Sequence, residues 1–78
     1  MSYVNNKVSV NAFYFAGRGS RMFPRRIEWE GRQYTFRDGL QYLVKNGENV
    51  LRLFDMNDGQ LTYRLRLEND QWTLVFTK

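Results

Sequence analysis

Apolar side chains fall mainly on every second position in the C-terminal part of this chain. Residues 61–67 read Leu, Thr, Tyr, Arg, Leu, Arg, Leu, and residues 72–76 read Trp, Thr, Leu, Val, Phe, the period-two pattern of strands buried on one face. A two-residue turn at Asn69-Asp70 would set Leu67 opposite Trp72, Leu65 opposite Leu74 and Tyr63 opposite Phe76, all on one side. Turn length and side-chain pattern demand that register independently.

The same alternation runs through Lys7, Ser9 and Asn11 against Val8, Val10 and Ala12, a first strand continuing toward Phe15 and aromatic on both faces from Phe13 onward. Gly17-Arg18-Gly19-Ser20-Arg21 breaks it as a flexible loop, and Pro24 argues against a central strand starting before it. Arg26–Trp29 and Gln33–Phe36 form a hairpin around Glu30-Gly31, with Ile27 facing Tyr34 and with Trp29, Tyr34 and Phe36 on one side.

At Asp38 the period changes. Gln41 follows three positions on, the spacing of a capping box, and Leu40, Leu43 and Val44 recur at i, i+3 and i+4 before Gly47. This spacing predicts a helix over Gly39–Asn46. The competing reading makes Asn46-Gly47 a hairpin turn, with Leu40, Tyr42 and Val44 on one strand face. Val50–Asp55 then forms a strand, Asn57-Asp58-Gly59 a three-residue loop with Gly59 at positive φ, and Gln60–Leu67 the return strand. In that register Leu53 meets Tyr63 and Leu51 meets Leu65, while Arg52 faces Arg64 with Arg66 farther along the same outer face.

The expected fold is mainly β: a single domain over residues 1–78, an antiparallel six-stranded curled sheet or open barrel with one short helix, in the order three strands, helix, three strands. Its expected core is Val8, Val10, Ile27, Trp29, Tyr34, Phe36, Leu40, Leu43, Leu51, Leu53, Tyr63, Leu65, Leu67, Trp72, Leu74 and Phe76.

Composition narrows the chemistry. The chain has 78 residues with neither cysteine nor histidine, so disulfides, thiolate zinc sites and imidazole ligands are excluded. Packing must come from six Phe, five Tyr and two Trp. Acid–base catalysis would fall to a carboxylate, and the one closely spaced pair, Glu28 and Glu30, lies at the mouth of a tight turn. Gly17-x-Gly19 lacks the third glycine of a dinucleotide fingerprint. The expectation is a protein that is not an enzyme and takes no cofactor or metal. Residues 1–7 lack the apolar stretch of a signal peptide, and the run Ala12–Ala16 is far too short to span a membrane. A cytoplasmic location without membrane attachment is expected on those grounds.

Net charge is +4, distributed unevenly: residues 1–37 carry seven Lys or Arg against two acids, residues 38–78 five against six. Six of the seven N-terminal cations are arginines between positions 18 and 37, the cation suited to phosphate or carboxylate forks. Arg18, Arg21, Arg25 and Arg26 around Phe23 have the arrangement of a phosphate track with a ring for base stacking; the plain alternative is a solvated loop whose Phe23 enters the core. Arg52, Arg64 and Arg66 form a second candidate stripe, which also suits a charged sheet surface that blocks aggregation. Phe13, Tyr14 and Phe15 suit a stacking platform, core packing or a dimer seam.

Pro24-Arg25-Arg26-Ile27-Glu28-Trp29-Glu30-Gly31-Arg32-Gln33-Tyr34, together with Tyr63-Arg64-Leu65 and Trp72-Thr73-Leu74-Val75, resembles a family of short uncharacterised bacterial β domains. Those domains carry a Pro-Arg-Arg…Trp-x-Gly-Arg-x-Tyr hairpin, and some occur in or near proteins related to translesion DNA polymerases. The resemblance covers two hairpins and implies a small β fold and an association with nucleic acid. The function expected is therefore a non-catalytic, sequence-tolerant nucleic-acid-binding module using Arg18, Arg21, Phe23, Arg25, Arg26, Arg52, Arg64 and Arg66. The alternative is a protein-interaction or homodimeric accessory module with an acidic partner, its seam at the strand holding Phe13 and Phe15.

Overall fold

The computed structural model describes every residue, Met1–Lys78, and contains seven antiparallel strands and no helix. β1 spans Ser2–Ala16, β2 Arg21–Trp29, β3 Arg32–Thr35, β4 Asp38–Asn46, β5 Asn49–Asn57, β6 Thr62–Glu68 and β7 Gln71–Thr77. Across the sheet they lie in the order β3-β2-β1-β7-β6-β5-β4. The sheet curls into a half-barrel whose concave face buries Phe23, Ile27, Phe36, Phe54, Met56, Tyr63, Leu65 and Leu74. The strand β1 serves two partners, residues 2–8 pairing with β7 and residues 9–16 with β2. Phe36 and Arg37 link the two ends of the sheet: the Phe36 amide donates to Arg25 O of β2 at 2.7 Å, and the Arg37 amide to Asn57 O of β5 at 2.8 Å.

Where a two-residue turn joins alternating strands, the expected register is present. Ile27 lies opposite Tyr34, Leu67 opposite Trp72 and Leu65 opposite Leu74. Asn69 and Asp70 have φ of 53° and 61°, as a type I′ turn requires. The end of that hairpin differs. The β6–β7 register shifts between Arg64 and Leu65, so Tyr63 pairs with Thr77 and Phe76 lies opposite Arg64. Phe76 is thereby turned to the convex face, where Arg64 and Tyr3 cover it at 4.9 and 6.1 Å.

Three further expectations are corrected. Pro24 sits inside β2, where the β1–β2 ladder skips Arg25 between Ala12↔Arg26 and Phe13↔Pro24; a bulge is one of the few sheet positions that tolerates proline. The segment Gly39–Asn46 is strand β4, not a helix, so the fold has seven strands. Its turn is Gly47-Glu48 between paired Asn46 and Asn49, and Gly47 alone takes positive φ, at 66°, the type II′ pattern. Leu40 and Leu43 stand in solvent, 61% and 65% exposed, so the i, i+3, i+4 spacing reports no buried face. The third correction is to β5–β6. The loop has four residues, Asp58–Leu61, and Met56, not Leu53, meets Tyr63. An odd slip turns every side chain to the other face, placing Phe54 and Met56 in the core and Leu51 and Leu53 on the convex side.

Candidate nucleic-acid interface

The β1–β2 hairpin extends past its ladder with β7 as a two-stranded arm. Its last pair is Ala16↔Arg21, and the turn is held by the Ser20 amide donating to Gly17 O at 3.2 Å. The expected flexible loop is thus a closed turn with Arg18 at its tip and Arg21 at the start of β2. The Gln41 side chain of β4 donates Nε2–H to Met22 O at 2.9 Å, seating the arm beside β4. Between them runs an open groove of about 440 Å³ lined by Arg18, Arg21, Phe23, Gly39, Leu40 and Gln41, among others.

The eight nominated residues do not form one surface. Phe23 is only 9% exposed, stacked on Tyr14 at 5.2 Å and edge-on to Phe54 at 6.2 Å, so its ring is closed to a base. Arg25 is half-buried, donates Nη1–H to Phe36 O at 3.1 Å and lies 4.1 Å from the Tyr14 ring centre. Burial raises the Tyr14 phenol pKa above its ordinary value, with Arg25 opposing. Arg26 donates to Asn11 Oδ1 at 3.2 Å.

The second stripe is divided as well. Arg64 makes a bidentate pair with Asp55, both contacts 2.7 Å, and these bonds hold its pKa above the usual value against the opposing effect of burial. Arg66 lies 3.8 Å from Glu68. Arg52, expected opposite Arg64, instead faces Leu67 and Leu43 on the other side of the sheet, because the β5–β6 slip is odd. Arg64 and Arg66 keep the shared face that the sequence reading gave them, and Arg52 leaves it.

Arg18, Arg21 and Arg52 retain exposed side chains with no ion pair or side-chain hydrogen bond. On the face of the arm opposite to Arg21, Phe15 is 67% exposed and Phe13 46%. The groove's far wall, Gly39 to Gln41, was not visible in the sequence as part of a site, because it lies on the strand read as a helix. No group of three or more Asp, Glu, His or Cys could hold a metal ion, and no helix is long and apolar enough to cross a membrane. Comparison with protein-family models, curated proteins and solved structures returned no significant match.

Proposed function

We propose that this chain is a non-catalytic module that binds single-stranded nucleic acid, without sequence preference, at the tip of the β1–β2 arm. One observation carries the reading: Arg18 in the turn and Arg21 just after it have no counter-charge, while Phe15, just before the turn and on the other face of the arm from Arg21, holds an exposed ring. Free guanidinium groups suit phosphates, and an exposed aromatic offers a stacking surface to any base. The groove toward Leu40 and Gln41 gives the backbone a path along the arm. The Pro24-Arg25-Arg26…Tyr34 likeness supports the β fold more than the contact surface, since Pro24 is buried and both arginines are engaged within the chain.

Anisotropy of a labelled oligothymidylate provides the test. With two to three phosphates neutralised, log K should fall against log salt with a slope of about −1.5 to −2. Arg18→Ala/Arg21→Ala should remove binding. An absence of wild-type binding even at low salt would overturn the proposal.

A further inference from the structure

We infer that the bound strand is led from the arm tip across Phe15 and Phe13 onto the concave face of the sheet, where Arg52 takes a further phosphate. This rests on the arm-tip reading and extends its site. The register places Leu43, Arg52, Leu67 and Trp72 in one row across β4, β5, β6 and β7. Leu67 and Trp72 pack against the core, so the row lies on the concave face. Neighbouring strands are spaced by about 4.8 Å, which sets the Arg52 and Trp72 backbones about 10 Å apart across Leu67.

The arm joins this row through its rings. Phe13, Tyr14 and Phe15 pair without interruption with Pro24, Phe23 and Met22, so Phe13 and Phe15 share one face of β1. The Phe13 ring lies 6.2 Å from that of Trp72, which is backed in turn by Phe54 at 5.1 Å. Phe13 is anchored on the row and still stands 46% exposed. Alternate positions of a strand are about 6.7 Å apart, room for one base against each ring. Residues 9–16 of β1 are hydrogen-bonded to β2 alone, so their other flank keeps backbone N–H groups for phosphate or base oxygens.

Charge selects nucleic acid as the occupant. Arg18, Arg21 and Arg52 have no ion pair, and the row holds no carboxylate. Uncompensated guanidinium groups at both ends of a run of open rings fit a chain that alternates phosphates with flat bases. An apolar peptide would leave the arginines without partners.

Anisotropy with labelled oligothymidylates of about four and about twelve nucleotides tests the path. Arg52→Ala should weaken the longer oligomer about five- to tenfold at low salt, reduce its log–log salt slope by about 0.7, and leave the shorter one unchanged. Arg52→Lys should restore most of the loss, since a phosphate accepts either cation. On the wild type, the Arg52 and Leu67 amide resonances should shift with the longer oligomer only. An Arg52→Ala effect that is absent, or equal at both lengths, would overturn the path while leaving the arm-tip site in place. Failure of the wild type to bind either length would remove both. Polyglutamate competing as well as unlabelled oligothymidylate would overturn the inference in favour of an acidic polypeptide.

Discussion

The Tyr63 hydroxyl donates to Oδ2 of Asp58 at 2.8 Å, while Oδ1 of the same carboxylate accepts the Gln60 and Leu61 amides, each at 2.8 Å. One side chain thus organises the four-residue loop that sets the β5–β6 register, and the partner that locks it is a core residue. Tyr63→Phe should cost about 1 kcal/mol in urea denaturation. Asp58→Ala should cost about 2–3 kcal/mol, because it also leaves the buried phenol and two amides unsatisfied.

The same pair makes stability depend on pH at both ends. Burial pushes the Asp58 carboxyl up, but the Leu61, Gln60 and Tyr63 hydrogen bonds outweigh it and hold the pKa below the usual carboxylate value. A lowered folded pKa gives stability that is complete above the ordinary carboxylate range and is lost as pH falls through the folded value. Burial first, then the bond to Asp58, raises the Tyr63 pKa above its ordinary value of 10.0. The unfolded phenol ionises first, so stability should also decline as pH rises beyond that value. Asp58→Asn should flatten the acid limb of a thermal-melting profile, and Tyr63→Phe the alkaline one.

Arg64 links the convex face together, bonded to Asp55 and lying 4.9 Å from the Phe76 ring centre and 5.9 Å from that of Tyr42. Arg64→Ala should lower stability by about 1–2 kcal/mol through lost cover as much as lost charge. Arg64→Lys should recover only part of this, since an ammonium cannot make the bidentate contact. Neither change should alter oligonucleotide affinity at low salt by more than about twofold.

Two of the phenylalanines that the sequence offered for stacking, Phe23 and Phe15, should separate cleanly. Phe23→Ala removes a ring packed between Tyr14 and Phe54 and should cost about 3–4 kcal/mol of stability. Phe15→Ala should leave the urea midpoint nearly unchanged and weaken oligonucleotide binding by about 1–3 kcal/mol.

What could be read from the sequence followed a physical boundary. Leu65↔Leu74 and Ile27↔Tyr34 were legible because a two-residue turn and a buried face independently specify one register. The Asp58 loop was not, since its fourth residue is recruited by side-chain bonds that an Asn-Asp-Gly run does not reveal. Its odd slip then exchanged Leu51 and Leu53 for Phe54 and Met56. β4 failed differently: hydrophobic periodicity reports burial, and Leu40, Leu43 and Val44 are not buried. Among the arginines, Arg18 and Arg64 look equivalent in one dimension. Only the fold shows that one meets solvent and the other a carboxylate.

Gly39 permits the close approach of β4 to β5. A Cβ there would run into the Met56 sulfur and stand 2.8 Å from Asp55 O. Gly39→Val should therefore loosen β4 and lower the melting temperature, with Gly39→Ala intermediate, whereas Gly17→Ala meets no neighbouring atom and should cost only the strain of its positive φ, on the order of 1 kcal/mol.

Every ladder but one joins strands that follow each other in sequence; the exception is β1 with β7. The molecule is thus two meanders, β1 to β3 and β4 to β7, each able to assemble from local hairpins at small loop-closure cost. Stitching residues 2–8 onto the last strand requires the two ends of the chain to find one another. That search, not the formation of any hairpin, should set the folding rate.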